Sequence, residues 1–289
     1  MSTANMPASD VPAFNVPAVQ IRGVDMVFNA GRANQVHALD GIDLEIRTGE
    51  FVSLIGPSGC GKSTLLRLIG DLLRPTAGEL TVHGKPARQA RLDHDYGMAF
   101  QHAGLFDWRT VIRNVELPLE LRGWSKAKRE TRAREMLDLV KLGDFADHRP
   151  WELSGGMQQR VAIARALAAG AGLLLMDEPF GALDEMTREH MQAELTHICD
   201  ETAATVVFVT HSIPEAVYLS DRVVVMSARP GRITSIIEVD LGSRTDDTRE
   251  ATEFFKKITE VREALRGVEG GRDPLGPDEV LPVQGVDDR

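Results

Sequence analysis

Residues 56–63 read Gly-Pro-Ser-Gly-Cys-Gly-Lys-Ser, and this stretch sets the fold class of the chain. The apolar run 51–55 precedes it, and residues 64–69, which have a helical pattern, follow it. The eight residues match the template G-x-x-x-x-G-K-[ST], which binds phosphate groups when it joins a strand to a helix. A chance glycine-rich turn is the alternative interpretation, but it does not account for the strand before the turn or the helix after it.

Each part of this motif has a physical reason to contact a nucleotide. Glycines let the backbone curl so that successive N–H groups point inward, and the following helix adds its positive N-terminal end. We expect Lys62 to reach the β- and γ-phosphates and the Ser63 hydroxyl to ligate Mg²⁺. The motif therefore predicts nucleotide binding, and it leaves the kind of nucleotide hydrolase open.

Apolar runs and helical stretches alternate along the second half of the chain. The runs at 173–176, 205–210 and 222–226 are apolar enough to be buried on both faces. Residues 187–201, between two of these runs, have a helical pattern. This alternation predicts an α/β fold in which helices cover a mostly parallel sheet.

Two carboxylates, Asp177 and Glu178, follow the run at 173–176. The carboxyl end of a buried strand is where an open α/β sheet places its chemistry. We predict that Asp177 holds Mg²⁺ and that Glu178 is the general base that polarises the attacking water. An ordinary acidic pair at a strand end is the alternative, and the presence of Lys62 and Ser63 favours the functional interpretation.

A further motif, Leu-Ser-Gly-Gly-Met-Gln-Gln-Arg at 153–160, gives the chain a family resemblance. It resembles the LSGGQ-type motif of the ABC (ATP-binding cassette) ATPases, and it lies between the phosphate loop and Asp177 as that family requires. The resemblance covers about residues 20–241. It implies a P-loop ABC ATPase core with a mostly parallel sheet, an N-terminal antiparallel β subdomain and an inserted α-helical subdomain at about 102–160.

The other landmarks of the family follow in order, and the resemblance implies a role for each. Gln101 resembles the Q-loop glutamine, residues 181–184 the D-loop, His211 the switch histidine, and Phe28 the aromatic residue that stacks on adenine. The implied catalytic residues are Glu178, His211 and Gln101. The implied metal ligands are Ser63, Gln101 and Asp177. The implied ATP contacts are Phe28, Gly56, Ser58, Gly59, Cys60, Gly61, Lys62, Ser63, Thr64, Ser154, Gly155 and Gly156.

Residues 154–156 open the helical stretch 157–167, so they form a second helix start that can bind an anion. The resemblance implies a head-to-tail pair in which Ser154 and Gly156 of one cassette close on the γ-phosphate held by Lys62 of the other. A simple helix cap is the alternative interpretation. The sequence leaves open whether the pair is two copies of this chain or two different cassettes.

Large apolar side chains at Leu105, Phe106 and Trp108 lie where the family docks its membrane permease, although packing within the helical subdomain is the alternative. Several stretches resemble the nitrate, sulfonate and taurine importer ATPases. The resemblance therefore implies the ATP-hydrolysing subunit of an importer, peripheral to the cytoplasmic face of the membrane. The implied solute is a small anion, a sulfonate or a pyrimidine-type compound, with a solute-binding protein as an indirect partner. A soluble cassette that acts as an assembly or regulatory scaffold is the rival hypothesis, and a kinase is a weaker one.

The composition argues against several other classes of protein. Asp and Glu outnumber Lys and Arg by 43 to 33 and the pI is near 5.3, so no nucleic-acid partner is expected. Two cysteines, Cys60 and Cys199, are too few for a disulfide framework. The most apolar region, 161–176, is interrupted by Arg165 and is too short to cross a bilayer.

Both ends of the chain differ in character from the middle. Residues 1–19 contain repeated Pro and Ala and are expected to be a disordered tail. Residues 242–289 are expected to be an extension with a short charged helix followed by an acidic disordered tail. The apolar stripe predicted for that helix consists of Phe254, Phe255, Ile258 and Val261.

Overall fold

The computed structural model describes residues 16–181 and 183–269, and its described strands and helices follow in this order. The strands are β1 (Val19–Phe28), β2 (Val36–Ile46), β3 (Phe51–Ile55), β4 (Ala77–Val82), β5 (Lys85–Pro86), β6 (Tyr96–Ala99), β7 (Leu173–Asp177), β8 (Thr205–Val209), β9 (Arg222–Met226) and β10 (Ile233–Glu238). The α-helices are α1 (Lys62–Ile69), α2 (Ala87–Leu92), α3 (Val111–Leu121), α4 (Lys126–Leu139), α5 (Gly155–Ala168), α6 (Glu185–Thr202), α7 (Ile213–Leu219) and α8 (Thr252–Glu269). Short 3-10 turns lie at Gly143–Phe145, Pro150–Glu152 and Asp246–Glu250.

The larger sheet carries the order β10-β9-β3-β8-β7-β6. All its neighbouring strands are parallel except β10, which pairs antiparallel with β9 at one edge. Every residue of β3, β7 and β8 is buried, because helices cover both faces of the sheet. The mostly parallel sheet predicted from the apolar runs is confirmed.

The smaller sheet carries the order β2-β1-β4-β5, and its strands pair antiparallel. Buried and exposed side chains do not alternate strictly along β1, because its register with β2 shifts between Ile21 and Val27. Its inward residues Val19, Ile21, Val24 and Met26 join a core cluster that also contains one face of α1. This sheet confirms the expected N-terminal antiparallel β subdomain, and it places the end of β1 beside the phosphate loop.

Helices α3, α4 and α5 pack against one another between β6 and β7 in the chain. One side of α4 faces the core, where Met136 is 8% exposed, Leu137 is 0% exposed and Val140, just after the helix, is 1% exposed. Thr110 caps α3, since its side chain accepts a hydrogen bond from the N–H of Arg113. These helices supply the α-helical subdomain of the fold class.

The 18-residue helix α8 packs on α7, β9 and β10. Phe254, Ile258 and Val261 are buried in the same core cluster as β3, β7 and β8. The prediction that Phe255 belongs to the apolar stripe was wrong, because this side chain is 56% exposed. Phe255 follows Phe254 by one residue, which turns it about 100° around the helix and away from the face that packs.

The predicted tails fall largely outside the described residues, which begin at 16 and end at 269. The predicted N-terminal tail extends too far, because β1 begins at Val19, and both Ala18 and Val19 are buried. Within the described ranges, none of the helices combines the length and the apolar character that crossing a bilayer requires.

Candidate nucleotide site

Three neighbouring parallel strands end at one edge of the large sheet. β3 leads into the phosphate loop, residues 56–61; β7 ends in Asp177 and leads into Glu178; β8 leads into Thr210 and His211. Because β8 lies between β3 and β7, all three strand ends contribute to the same region, as an open α/β sheet predicts.

Close packing around the phosphate loop requires glycine at two positions. Gly61 has a φ of 104°, and a Cβ there would lie 2.6 Å from Cδ2 of Leu39. A Cβ at Gly56 would lie 2.7 Å from the carbonyl oxygen of Met226. Side chains at these positions would therefore push the loop away from β2 or β9.

Lys62 lies across the inside of the loop. It is 7% exposed, and its Nζ donates hydrogen bonds to the carbonyl oxygens of Gly56 at 2.8 Å and Pro57 at 3.0 Å. Cys60 Sγ lies 3.7 Å from the same Nζ and is 1% exposed, so the Cys60 side chain packs beneath the loop. The ammonium is thereby held at the centre of the loop, where oxygen atoms already surround it.

Ser63 and Asp177 pair between the start of α1 and the end of β7. The Ser63 hydroxyl donates a 2.7 Å hydrogen bond to Oδ1 of Asp177, whose side chain is buried. A hydroxyl and a carboxylate oxygen so close together are the hard oxygen ligands that Mg²⁺ prefers. The residues present therefore fit this ion.

Glu178 is held between the side chains of Gln101 and His211. Gln101 Nε2 donates a 3.2 Å hydrogen bond to Glu178 Oε2, and His211 Nδ1 lies 3.4 Å from the same oxygen. The backbone of Glu178 has a φ of 47°, which is uncommon for a residue with a side chain. Its N–H donates to the carbonyl of Val209 at 2.9 Å, so the turn after β7 is fixed on β8. This turn places the carboxylate beside His211.

These side chains line one cavity of about 530 Å³. Of the predicted residues, the lining contains Phe28, Gly56, Ser58, Gly59, Gly61, Lys62, Ser63, Thr64, Gln101, Glu178 and His211. Cys60 and Asp177 are buried and do not line the cavity, but Asp177 accepts a hydrogen bond from the hydroxyl of Ser63, which does. The phosphate loop, the predicted general base and the aromatic residue of β1 thus share one site.

The second helix start lies elsewhere on the molecule. Ser154 caps α5, because its Oγ accepts a 3.3 Å hydrogen bond from the N–H of Met157. Ser154 and Gly155 are exposed, and none of residues 154–156 lines the cavity around Lys62. Apart from its chain neighbours and the backbone of its own helix, a Cβ at Gly155 would meet no described atom within 4 Å. Packing within one chain therefore gives no reason for glycine at this position.

The three apolar residues proposed as a docking surface divide between the core and the exterior. Leu105 is half-buried and packs against the core. Trp108 is 71% exposed, and its ring lies 4.7 Å from the ring of Phe106. Trp151, which is 66% exposed, is joined to Trp108 through Arg149, whose guanidinium bonds to the Trp108 carbonyl and lies 5.9 Å from the Trp151 ring. Packing accounts for Leu105 but not for Trp108.

Comparison with known proteins identifies the family. A family model described as ABC transporter matches residues 39–181. A taurine import ATP-binding protein of Rhizobium johnstonii is 44% identical over 252 residues, which are 86% of this chain and 95% of that protein. The chain belongs to the ABC transporter ATP-binding family. A nitrate import ATP-binding protein of Synechocystis sp. is 45% identical over 258 residues, covering 87% of this cassette and 96% of the relative.

A solved structure supports the same assignment. It is the dimeric structure of a post-hydrolysis state of an ATP-binding cassette bound to ADP and Pi, with 37% sequence identity and a TM-score of 0.71. The match covers 77% of this cassette and 99% of that chain. The fold class predicted from the sequence is confirmed, and the cassette binds and hydrolyses ATP.

The cavity also contains residues that the sequence motifs did not indicate. Val36 and Ala38 line it from β2, and Arg229 lines it from the turn between β9 and β10. The Arg229 guanidinium donates to the carbonyl oxygen of Gly59 at 3.2 Å. This turn is fixed on β2, because the Gly231 N–H donates to the Ala38 carbonyl at 2.9 Å. Arg229 lies 170 residues after Gly59 in the chain, and no local pattern could have revealed its position. Only the pairing of β9 with β3 brings it to the cavity.

Proposed function

We propose that this cassette is the ATP-hydrolysing subunit of an ABC importer for a small anion, a sulfonate or a pyrimidine-type solute. Support for import comes from relatives named for taurine import and nitrate import, each of which this chain matches over nearly its whole length. Those two names differ in solute but agree in direction. The cassette lies on the cytoplasmic face of the membrane, and it contacts the solute only indirectly, through a permease and a solute-binding protein.

The single observation that carries the ATPase mechanism is the position of Glu178 between Gln101 and His211, in the same cavity as Lys62. Glu178 accepts the proton of the attacking water, and Gln101 and His211 hold that carboxylate and the water in place. Lys62 binds the β- and γ-phosphates, which replace the carbonyl oxygens of Gly56 and Pro57 as its partners. Phe28 stacks on the adenine ring.

The pair Ser63 and Asp177, together with Gln101, holds Mg²⁺. The ion, when bound, neutralises charge on the phosphate oxygens. Asp177 keeps the Ser63 hydroxyl in position, since its buried carboxylate accepts the hydrogen bond from that hydroxyl.

Two cassettes work as a head-to-tail pair. The exposed start of α5, with an open space around Gly155, is the surface that closes on the γ-phosphate held by the other cassette. N–H groups at a helix N-terminus, the Ser154 hydroxyl and the backbone of Gly156 are suited to bind an anion. Support for a pair comes from the dimeric cassette that this chain resembles.

The exposed ring of Trp108, with Phe106 and Leu105 behind it, docks on the permease. An aromatic side chain that is 71% exposed and packed against a second ring is well suited to serve as an anchor at an interface. The rival hypothesis, a scaffold without a permease, gives Trp108 no partner of this kind.

The experiment is to purify the tagged full-length chain from native membranes and to identify the proteins that accompany it. We expect a multi-span permease in stoichiometric amount, and the Trp108→Ala variant should lose it. Phe255→Ala is the matched control, because Phe255 is an exposed aromatic residue on a different surface. Recovery of soluble partners alone, with ATPase activity intact, would move the protein to the scaffold class.

A further inference from the structure

The buried carboxylate of Glu215 has no part in the mechanism proposed above. Glu215 lies in α7, four residues after His211, and its side chain is 7% exposed. Burial raises the pKa of this carboxyl, while hydrogen bonds from Thr210 and Gln192 act in the opposite direction. A buried carboxylate is costly unless donors satisfy it, so the identity of its partners is informative.

The first partner of Glu215 controls the backbone next to His211. The Thr210 hydroxyl donates a hydrogen bond to Oε2 of Glu215. The same Thr210 oxygen accepts a 3.0 Å hydrogen bond from the N–H of Ser212. Thr210 and Ser212 flank His211 on either side. The position of the His211 backbone therefore depends on where Glu215 holds the Thr210 hydroxyl.

The second partner of Glu215 connects it to the C-terminal segment. Gln192, in α6, donates from Nε2 to Oε1 of Glu215 at 2.9 Å. Its Oε1 accepts a 2.6 Å hydrogen bond from Nη2 of Arg249. An amide side chain has one accepting end and one donating end, so a donor on the oxygen side turns the NH₂ group toward Glu215. Arg249 thereby sets the orientation of the Gln192 amide.

Arg249 itself is held firmly. It lies in the 3-10 turn Asp246–Glu250, and the central carbon of its guanidinium is 3.6 Å from the centre of the Tyr218 ring. The helix that follows, α8, is anchored in the core by Phe254 and Val261. A guanidinium stacked on a buried aromatic ring keeps its donors in fixed directions. The hydrogen-bonded series Arg249, Gln192, Glu215 and Thr210, which we call the Arg249 chain, is thus continuous from the C-terminal segment to the His211 loop.

We infer that Arg249 is a positioning residue for ATP hydrolysis, acting through the Arg249 chain to hold His211 beside Glu178. This inference rests on the proposed role of His211. It assigns a catalytic consequence to a turn that lies outside residues 39–181, the part matched by the family model. Without the Arg249 donor, the Gln192 amide is free to rotate, and Glu215 then loses its hydrogen bond from Gln192 Nε2. The Glu215 carboxylate can then move, and the Thr210 hydroxyl that is bonded to it moves with it.

The test measures ATP turnover and the KM for ATP with the purified full-length chain. Arg249→Met keeps an unbranched side chain to cover Tyr218 but removes the donors. We expect kcat to fall about tenfold, because small displacements of a catalytic group carry penalties of this size, while KM stays within about twofold. Arg249→Lys retains a donor for Gln192 and should recover most of the lost kcat. Lys256→Ala is the control, since Lys256 is exposed and pairs with Glu253 within α8.

A double-mutant cycle separates positioning from general loss of structure. Gln192→Leu removes the link between Arg249 and Glu215, so it should lower kcat by a similar factor. In the double variant with Arg249→Met the loss should be no larger than in either single variant, because both break the same connection. Losses that multiply would overturn the inference, and so would wild-type kcat in Arg249→Met. If Arg249→Met does not fold, kcat is compared between Arg249→Lys and Gln192→Leu. The inference then expects kcat near the wild-type value in Arg249→Lys and about a tenfold loss in Gln192→Leu, and wild-type kcat in Gln192→Leu would overturn it.

His211→Ala, measured alongside, distinguishes failure of this inference from failure of the proposed function. An inactive His211→Ala with a fully active Arg249→Met would overturn the positioning role alone. A fully active His211→Ala would overturn the proposed role of His211 itself.

Discussion

The cassette contains two glycine-rich helix starts, and they differ in how complete they are within one chain. The start of α1 follows Gly61, has no side-chain cap, and lies in a cavity with the buried ammonium of Lys62. The start of α5 is capped by Ser154, is exposed, and lies outside that cavity. Free N–H groups at the first start are ready for an anion, whereas the second has open space around Gly155. This difference is the basis for our proposal that the first start binds nucleotide within one cassette and that the second completes the site of another cassette.

The largest effect is expected from Glu178→Gln, which removes the proposed base and leaves both helix starts intact. Glu178→Gln should lower kcat by about 10²–10⁴-fold, because the amide cannot accept the proton of the attacking water. ATP affinity should change little. Steady-state turnover and calorimetric ATP binding check this, with the exposed Glu253→Gln as control. Rapid hydrolysis by Glu178→Gln would show that another group is the base.

The second largest effect is expected from a substitution at the first helix start. Lys62→Ala removes the ammonium that lies inside the phosphate loop, and the lost charge-assisted contacts should weaken ATP binding by about 10–100-fold. Titration calorimetry measures the affinity, and the thermal midpoint checks that the variant is folded. Unchanged ATP affinity would contradict the role proposed for Lys62.

Gly155→Ala sharpens the contrast at the second helix start. The new Cβ meets open space at the exposed first residue of α5, so the free energy of unfolding should stay within about 0.5 kcal/mol of the wild-type value. The affinity of a single cassette for ATP should not change. Turnover should nevertheless fall about tenfold, because the added methyl keeps the backbone away from the γ-phosphate of the opposite cassette. Wild-type turnover would mean that nothing approaches this surface closely.

The smallest expected effect concerns Arg229, which the cavity contains but no motif indicated. Arg229→Gln removes a positive charge at an exposed position beside the phosphate loop. A charge pair of this kind is worth up to about 1 kcal/mol, so ATP affinity should fall about two- to fivefold, and less at high salt. Titrations at two salt concentrations check both parts. An unchanged ATP affinity at low salt would show that the Arg229 charge does not contribute to ATP binding and that Arg229 contacts the phosphate loop through its hydrogen bond to Gly59.

Local motifs made much of the fold and site predictable from the sequence. β3 and β9 coincide with the predicted apolar runs, and residues 56–63 encode a turn whose glycines the packing requires. The parallel pairing of β7 with β8 brings Glu178 and His211 together as their strand ends suggested. In each case the functional residues follow directly after a strand, so the order of strands in the sheet determines where their side chains lie.

Contacts between distant segments were not predictable in this way. Arg229 reaches the cavity only because β9 pairs with β3, and Arg249 reaches Gln192 only because α8 packs on α7 and β9. The exposure of Phe255 is a different case, because Phe255 lies about 100° around the helix from Phe254 and helix geometry alone turns it away from the packed face. Tertiary packing, rather than local pattern, decided the positions of Arg229 and Arg249.

The most direct test of the account asks whether the second helix start completes the nucleotide site. Sedimentation of the Glu178→Gln variant with and without ATP and Mg²⁺ measures its mass under conditions in which nucleotide is bound but not hydrolysed. We propose that two copies of this chain form the pair, so we expect a single cassette without ATP and a pair with ATP, and Gly155→Ala in the same background should weaken the pair. A single cassette that is saturated with ATP and remains alone would contradict it.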